Sequence, residues 1–378
     1  MTITTQRIGS MTQVGAADWN ALAGTDCPFL RHEFLATLEQ TGCVGPGTGW
    51  DPAHLLLRDE RGLAGAVPAY LKSHSWGEFV FDFGWAQAYA RHGLSYYPKL
   101  LAAVPFSPTT GARLLVRPDA APDTAARLIG ALQATTRELR LSSAHVLFMQ
   151  DSDRLQLEQA GWMLRRDCQF HWHNQGYADF EAYLATFTAE KRKKTRRERR
   201  RCSEAGIRFE TLYGSTITAA QLDAVYAFHQ QTFVRHGHEP YLNREFFTQI
   251  AARLGDALMV KLALQGDRPV AAAVFFWYEE ALYGRYWGAL EDFHSLHFET
   301  CYHQGIEFCI ERGIARFEPG TQGEHKISRG FEPQLTWSAH YLADSRFRAA
   351  IGDYLEREAP AVEAYLSEAG RHTPFRRT

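Results

Sequence analysis

The stretch VKLALQGDRPVAAAVFFW, residues 260–277, decides the fold class that the sequence predicts. Its two apolar runs flank a polar turn, which is typical of two antiparallel strands joined by a hairpin. The stretch HLLLRDERGLAGAVPAYL, residues 54–71, has the same form, and an offset of 207 pairs Leu57 with Leu264. A meander that occurs twice in one chain indicates two related domains.

The segments around the two meanders extend the repeat. An offset of 202 places EFVFDFGW (78–85) on EALYGRYW (280–287), which predicts one more strand in each half. Helix-like stretches and short apolar runs surround both meanders in the same order: FLATLEQ (34–40), DTAARLIGALQATTRELR (123–140) and HVLFMQ (145–150); then LDAVYAFHQQTF (222–233), HFETCYHQGIEFCIERG (297–313) and IARFEP (314–319). The order predicts an α/β (α+β) fold of two duplicated domains, residues 1–170 and 171–378. Chance similarity of two meanders is the alternative.

The composition restricts the class of protein. A chain of 378 residues usually forms more than one core, and 45% hydrophobic with 22% charged residues is typical of globular proteins. Six cysteines without a C-x-x-C pair predict reduced thiols. HWH (171–173) and HGH (236–238) lack the spacing of zinc ligands, so no metal is predicted. The longest apolar runs have strand length, which predicts a soluble, cytoplasmic protein.

Four long motifs resemble a known family: ARHGLSYYPKLLAAVPFSPTTGARLL (90–115), YGRYWG (283–288), LHFETCYHQGIEFCIERG (296–313) and RFEPGTQGEHKISRGFEP (316–333). They are similar to the bacterial FemAB-like family, which is named for peptidoglycan biosynthesis or recognition, from about residue 18 to residue 370. The resemblance implies tandem acetyltransferase-like (GNAT) domains, each a mostly antiparallel sheet flanked by helices, as in Fem-type aminoacyltransferases. It also implies transfer of an acyl or aminoacyl group from an activated donor to an amine.

The resemblance leaves two donors, acyl-coenzyme A and aminoacyl-tRNA. Coenzyme A enzymes of this fold hold the pyrophosphate with Q/R-x-x-G-x-G/A at a helix N-terminus, where backbone N–H groups face the anion. This chain offers Arg285, Gly288 and Leu290, so the last small residue is missing, and Glu291 and Asp292 add negative charge. The pattern predicts no tightly bound cofactor and favours aminoacyl-tRNA over acyl-coenzyme A as the co-substrate.

The motif YGRYWG (283–288) predicts one wall of a substrate site. Strand alternation places Tyr283, Arg285 and Trp287 on one face and Tyr286 on the other. An arginine aligned with two aromatic rings is costly to bury unpaired, so Arg285 and Trp287 are candidate substrate-binding residues. A packed aromatic strand is the alternative. Tyr286 is a candidate for polarising the donor carbonyl, a role that a backbone N–H group would also fill.

The helix and loop that follow hold many titratable residues. Glu299 and His303, four positions apart, are a candidate proton-handling pair that would border the substrate, or else a salt-bridged flank. In the loop after the last strand of the repeat, Glu318 or His325 is the predicted general base that deprotonates the acceptor amine.

Four more residues complete the predicted substrate site. Lys326 and Arg329 are the predicted anion clamp, and Glu324 lies in the same glycine-containing loop. His171, at the start of the second domain, is predicted to border a cleft between the repeats. Charges that only pin a long loop are the alternative.

The run KRKKTRRERRR, Lys191 to Arg201, places nine basic residues among eleven. Its charge of +8 in a chain of net charge −2 leaves −10 elsewhere, so the positive field is local. The run is predicted to lie in a helix, 189–205, that docks by one narrow non-basic stripe: Thr195, Glu198, Cys202 and Ala205. The candidate ligands for donor phosphates are Lys193, Arg196, Arg197 and Arg200.

Three interpretations of the basic helix stay open: a solvated structural face, a binding face for a phosphate-bearing ligand, and a targeting signal. The phosphate-bearing ligand would be transfer RNA or a lipid-linked precursor. A position inside a folded domain argues against nuclear targeting. The sequence thus predicts an N-acyltransferase, and the rival hypothesis is a non-catalytic recognition module that binds a cell-wall precursor or nucleic acid.

Overall fold

The computed structural model describes residues 3–235, 237–291, 293–321 and 323–376. The chain forms two compact units, each built from two segments: unit 1 is Met1–Asp167 with Leu335–Ala364, and unit 2 is Cys168–Gln334 with Tyr365–Thr378. The sequence prediction divided the chain once, after residue 170. In the structure, residues 335–364 belong to unit 1.

Unit 1 alternates short strands with helices. Its strands are β1 (Thr4–Ile8), β2 (Trp50–Pro52), β3 (His54–Asp59), β4 (Gly62–Val67), β5 (Ala69–Lys72), β6 (Lys99–Ala102), β7 (Leu115–Val116) and β8 (Ser143–Leu147). Its helices are α1 (Ala16–Ala23), α2 (His32–Gln40), α3 (Phe83–Arg91), α4 (Thr124–Glu138) and α5 (Asp151–Gln159). Strand β9 (Met163–His173) continues into unit 2, where the chain remains through most of its second half.

Unit 2 contains the second meander and most of the predicted site. Its helices are α6 (Phe180–Ala185), α7 (Ala189–Glu204), α8 (Ala219–Arg235), α9 (Arg244–Leu254), α10 (Leu296–Phe298) and α11 (Gln304–Arg312). Its strands are β10 (Ile207–Tyr213), β11 (Leu258–Gln265), β12 (Arg268–Tyr278), β13 (Ala281–Ala289) and β14 (Arg316–Glu318). A π-helical turn (Glu299–His303) joins α10 to α11, and a 3-10 helix (Glu324–Arg329) ends this part of the unit. The last strand, β15 (Glu332–Leu342), and the last helix, α12 (Ser345–Arg371), belong mostly to unit 1.

Each unit contains a meander and one parallel strand pair, which belong to one sheet in unit 2 and to two different sheets in unit 1. In unit 2 the order is β10, β11, β12, β13, β14 and β9, and only β13 and β14 are parallel. In unit 1, β3 and β4 form the predicted meander between β1 and β7, while β6 pairs with β8 in parallel. In both units a helix, α4 or α11, precedes the later strand of the parallel pair. Both predicted meanders are therefore confirmed.

The prediction of a strand at EFVFDFGW (78–85) is wrong. Residues 83–91 form helix α3, and β6 is the strand of unit 1 that pairs in parallel as β13 does in unit 2. The Lys99 ammonium, fully buried, lies 2.8 Å from a Glu78 oxygen and 2.5 Å from an Asp82 oxygen. These contacts fold the segment around Lys99, and they leave Phe81 51% exposed. The segment resembles a strand in the sequence because Glu78 and Asp82, four positions apart, alternate with phenylalanines.

The core of unit 2 lies between the sheet and helices α6 and α11. It contains Trp172, Phe275, Leu282, Ile306 and Phe317, all buried. No helix in the part of the chain that the structure describes is long and apolar enough to cross a membrane. None of the six cysteines is in a disulfide.

Candidate functional site

The candidate site lies in unit 2, where strands β13 and β14 separate. The strands pair over only three residues each, 281–283 with 316–318, although β13 continues to Ala289. Arg285 is the extra residue of a bulge in the ladder between β12 and β13, and bulges redirect the strand that carries them. The separation opens a pocket with a volume of about 180 Å³.

Four segments supply the walls of this pocket. They are Ala273, Val274 and Phe275 of β12; Gly284, Arg285, Tyr286 and Trp287 of β13; His297, Cys301 and Tyr302 of α10 and the π-helical turn; and Pro319 after β14. Arg285, Tyr286 and Trp287, which were predicted from YGRYWG, all line it. Burial lowers the pKa of His297 to about 4, so the imidazole in the wall formed by α10 and the π-helical turn is neutral at neutral pH.

The bulge changes which side chains of β13 share a face. The Tyr286 ring packs against His229 of α8, at 5.2 Å between ring centroids, whereas the Trp287 ring packs against His297, at 5.3 Å. Trp287 also contacts the core cluster that contains Leu282. The predicted common face of Tyr283 and Trp287 is therefore wrong, because the extra residue reverses the alternation.

Glu318 ends β14 directly before the pocket wall at Pro319. Its side chain is buried, with one oxygen 2.8 Å from Arg316 Nε and the other 4.0 Å from His171 Nε2. That second oxygen has no hydrogen-bond partner among the described residues. Burial lowers the pKa of His171 to about 4, so the neighbouring imidazole is neutral at neutral pH. The structure thus brings His171 and Glu318 together, with one carboxylate oxygen unsatisfied.

Glu318 lies on the opposite face of the sheet from α11. It is aligned with Tyr283 on one neighbouring strand, whereas Phe317 is aligned with Leu282 and packs in the core beside α11. Successive strand residues face opposite sides of a sheet. Glu318 therefore shares its face with Tyr283, and the π-helical turn borders the other face.

The π-helical turn separates two residues that were predicted to act as a pair. Glu299 accepts hydrogen bonds from Arg199, at 3.2 Å, and Gln304, at 2.9 Å, whereas His303 lies 3.3 Å from an oxygen of Glu198. Among these contacts none joins Glu299 to His303, so the prediction of a proton-handling pair is not supported by the geometry. The backbone N–H of Gln304 bonds to the carbonyl of Glu299, and this i→i+5 spacing moves position i+4 off the shared face.

The same turn brings Tyr302 to His325. Tyr302 Oη and His325 Nε2 are 2.9 Å apart, and the rings lie beside Phe298. Burial raises the pKa of Tyr302, so the phenol is protonated and donates this bond. Burial and the charges of Lys326 and Arg329 lower the pKa of His325, which favours the neutral imidazole as the acceptor.

The other predicted loop residues have different environments. The Lys326 ammonium is buried and donates to the carbonyl of Gly320 at 2.6 Å, and burial lowers its pKa to about 7. Arg329 is buried against the Phe298 ring, 3.5 Å from its centroid, and one guanidinium nitrogen lies 2.7 Å from Glu198. Glu324 is exposed and accepts a hydrogen bond from Tyr365. Arg329 is thus already paired with a carboxylate, which weakens its case as an anion clamp.

Helix α7 docks as predicted. Thr195, Glu198 and Cys202 are its buried residues, and Gly206, with φ of 72°, follows its C-cap. The candidate phosphate ligands share the opposite side, which we call the outer basic face and define as Arg192, Lys193, Arg196, Arg197 and Arg200; with Ala189 they line a shallow cavity of about 360 Å³. Arg196 pairs with Glu181 and Arg200 with Glu204, but exposed pairs of this kind contribute little stability.

The glycine of the candidate pyrophosphate motif has a packing role. A Cβ atom on Gly288 would lie 1.9 Å from the carbonyl oxygen of Phe228 in α8. Residues 285–289 belong to strand β13, and Glu291 pairs with Arg268, at 2.8 Å. Asp292 lies outside the described residues, as does His236 of the HGH segment. In the described residues, the segment of the candidate motif is therefore part of a strand that packs against α8.

Several residues of the site were not predicted. His297, Cys301 and Tyr302 line the pocket, but in the sequence they look like ordinary positions of an amphipathic helix. Glu198 was predicted only as part of the stripe by which α7 docks, and Arg199 was one of many cations in a basic run, so neither was predicted as a residue of the site. No cluster of three or more potential metal ligands occurs in the described ranges.

Comparison with known proteins identifies the family. The family model for FemAB-like proteins of peptidoglycan biosynthesis or recognition matches residues 10–377. The chain belongs to the FemAB-like family. A search of curated proteins finds no match for this FemAB-like chain.

Solved structures share the fold at low sequence identity. FemX is 9% identical, with a TM-score of 0.52, over 92% of this chain and 100% of FemX. L-PGS from Bacillus licheniformis is 10% identical, with a TM-score of 0.51, over 90% of this chain and 98% of that one. A conserved protein of unknown function from Bacteroides thetaiotaomicron is 11% identical, with a TM-score of 0.52, over 89% and 99%. The FemAB-like chain thus shares its fold with these three proteins over about nine tenths of its length.

Proposed function

We propose that this FemAB-like protein transfers an aminoacyl group from aminoacyl-tRNA to an amine, and that the reaction takes place at the separation of β13 and β14. The observation that carries the proposal is the placement of chemical groups around this opening. Glu318, with an unsatisfied oxygen, lies on one face of the sheet, and the hydrogen-bonded pair Tyr302 and His325 borders the other. Acyl transfer needs a base for the acceptor and an acid for the leaving group.

The roles of these groups follow from their positions. Glu318 takes the proton of the attacking amine, while Arg316 orients its carboxylate from 2.8 Å. The amine nitrogen forms a bond to the acyl carbon, and the carbon–oxygen bond to the ribose breaks. The Tyr302 hydroxyl turns from His325 to the leaving oxygen and gives its proton to that oxygen. His325, which is exposed, then passes a proton from solvent to the phenolate. The tetrahedral oxyanion is stabilised by a backbone N–H of β13 beyond its pairing with β14, or by Tyr286.

The charge distribution favours a donor that carries several phosphates. The outer basic face presents five cations, of which Arg192, Lys193 and Arg197 have no acidic partner among the described ion pairs. A ribonucleic acid backbone suits such a face, whereas the segment that would hold the coenzyme A pyrophosphate is a strand followed by an acid. The acceptor would be a cell-wall precursor or another amine, and a cytoplasmic location would supply the donor. A lipid-linked precursor is the other phosphate-bearing ligand that the face would accept.

A donor comparison tests the proposal. Purified protein is incubated with charged transfer RNA or with acyl-coenzyme A, each with a mixture of amine acceptors, and mass spectrometry detects the amide product. We expect product with charged transfer RNA only. Glu318→Gln should lower kcat by about 100-fold or more, and His325→Asn should lower it by a smaller factor.

The control is Glu311→Gln, which makes the same chemical change at an exposed position of α11 and should leave kcat unchanged. Transfer that is insensitive to both Glu318→Gln and His325→Asn would contradict the assigned roles. Tight binding of RNA without turnover of either donor would instead support the recognition module.

A further inference from the structure

The inner side of helix α7 is joined by ion pairs to the segments that form the pocket. Glu198 lies 2.7 Å from Arg329 with one oxygen and 3.3 Å from His303 with the other. The next residue, Arg199, pairs with Glu299 at 3.2 Å and with Glu307 at 2.7 Å. Consecutive residues of α7 therefore hold the π-helical turn and the 3-10 helix at the same time.

Each partner of Glu198 is connected to one member of the pair of Tyr302 and His325: His303 through the backbone and Arg329 through a hydrogen bond. His303 directly follows Tyr302 in the π-helical turn. Arg329 donates a hydrogen bond from its other terminal nitrogen to the carbonyl oxygen of His325, at 2.7 Å. One carboxylate thus fixes the backbone on either side of the bond between Tyr302 and His325.

Burial makes these contacts sensitive to small displacements. Glu198 is 7% exposed, Arg329 is 3% exposed and His303 is 1% exposed. Burial acts to raise the pKa of Glu198, but the hydrogen bond from His303 and the charge of Arg329 outweigh it and lower the pKa. A buried charge that loses its partner is costly, so Glu198 and its partners are expected to move together rather than separate.

The outer basic face lies on the same helix, on the side away from these contacts. Lys193 and Arg197 are exposed, whereas Glu198 is directed inward, one residue after Arg197. A polyanion that draws the cations of this face together would shift or rotate α7, and a helix moves largely as a rigid element. Any such movement reaches Glu198.

We propose that Glu198 is a positioning residue that couples ligand binding on the outer basic face to the placement of Tyr302, which lines the pocket, and of its partner His325. The inference rests on the proposed function, because it assumes that α7 binds the donor and adds that the same helix positions Tyr302 and His325 through Glu198. Transfer then becomes fast only when a phosphate-bearing donor occupies the face.

Fluorine NMR of the protein labelled with fluorotyrosine provides a measurement that does not depend on activity. The Tyr302 signal is assigned by its loss in Tyr302→Phe, and a short RNA hairpin serves as the probe. In the wild type, the hairpin should shift the Tyr302 signal. In Glu198→Gln, the hairpin should bind with an affinity within about twofold of the wild type but leave that signal unmoved.

The matched control is Glu190→Gln, which removes a negative charge from an exposed position in the first turn of the same helix. It should retain the shift of the Tyr302 signal. Because Glu198→Gln leaves Arg329 without its carboxylate, the double variant Glu198→Gln with Arg329→Met removes both buried charges and serves if the single variant does not fold. The double variant should also lack the shift.

Kinetics separate positioning from binding. If transfer is observed, Glu198→Gln should lower kcat about tenfold and change KM for the donor less than twofold, and Glu198→Asp should restore part of kcat. A Tyr302 signal that responds equally in the wild type and in both Glu198 variants would overturn the coupling, even if the enzyme is active. A coupled signal without any transfer would overturn the proposed reaction and leave the coupling intact. Failure of the hairpin to bind the wild type would overturn the coupling, whereas the donor comparison alone decides the proposed reaction.

Discussion

Lys326 places a buried ammonium beside the candidate pocket. The side chain is 2% exposed, and the hydrogen bond that it makes is to the neutral carbonyl of Gly320. Burial, which removes the ammonium from water, lowers its pKa from 10.5 to about 7. A lysine that is neutral in part at neutral pH adds little fixed charge to the pocket, so the sequence-based role of an anion clamp depends on pH.

This shift predicts how stability depends on pH. Between pH 7 and pH 10.5 the unfolded chain binds a proton at Lys326 that the folded protein has released, so the free energy of unfolding rises with pH across this window. Urea denaturation at several pH values should show that the wild type gains stability relative to Lys326→Met as the pH rises. Other buried groups are present in both proteins and cancel in the difference.

The pH dependence of Lys326→Met has a control at an exposed lysine. Lys194 is exposed, so Lys194→Met should show a difference from the wild type that does not change over the same pH range. A flat difference for Lys326→Met would mean that the ammonium keeps an ordinary pKa in the folded protein.

Single residues of the site were predicted with unequal success. Glu318, His325 and Lys326 were found because a loop that combines glycines with charges at a strand end is a local feature of the sequence. The contact between His171 and Glu318 joins distant parts of the chain, and no local pattern reports it. The pair of Glu299 and His303 failed because a π-helical turn changes the periodicity on which the prediction relied.

At the scale of elements, the packing of α8 against β13 depends on one missing side chain. A Cβ atom on Gly288 would meet the Phe228 carbonyl at 1.9 Å, which is far inside van der Waals contact. Because both groups belong to regular backbone, relief requires one element to move. The close approach also sets the position of the wall that carries Tyr286 and Trp287.

Gly288→Ala should therefore destabilise the protein by about 3 kcal/mol or more, measured by urea denaturation. Gly130→Ala is the control, because a Cβ atom there meets nothing within 4 Å in helix α4. That change should stabilise the protein by about 0.5–1 kcal/mol, since alanine is the better helix former. Equal effects of the two substitutions would contradict the packing role of Gly288.

Elements with a strong local pattern were predicted correctly, and the one that depends on a distant partner was not. The stripe of Thr195, Glu198 and Cys202 was visible in α7 because all of the residues between Lys191 and Cys202 that lie outside it are basic. Both meanders show their turns in the sequence. The segment 78–85 alternates like a strand, but Lys99 determines its path. A buried ion pair of this kind overrides local propensity.

At the scale of the whole molecule, the duplicated fold was predictable because each repeat contains its own meander, helix and strand. The assignment of residues 335–364 to unit 1 was not predictable, because local sequence indicates which secondary structure a segment forms but not against which unit it packs. Charge, by contrast, is fully visible in the sequence. A chain of net charge −2 that carries +8 in eleven residues keeps its positive field local, and five of the nine basic residues of this run form the outer basic face of α7.

This arrangement predicts the salt dependence of RNA binding. Replacing Lys193, Arg196, Arg197 and Arg200 by glutamine should reduce the slope of log affinity against log salt by about 3, because each lost phosphate contact removes roughly 0.7–0.9. A control variant replaces four exposed arginines elsewhere by glutamine, Arg91, Arg127, Arg140 and Arg371, and changes the net charge from −2 to −6 in the same way. Fluorescence anisotropy with transfer RNA at several salt concentrations measures both. If the local face binds the phosphates, only the first variant changes the slope, whereas equal slopes for the two variants would show that the overall charge of the molecule determines the affinity.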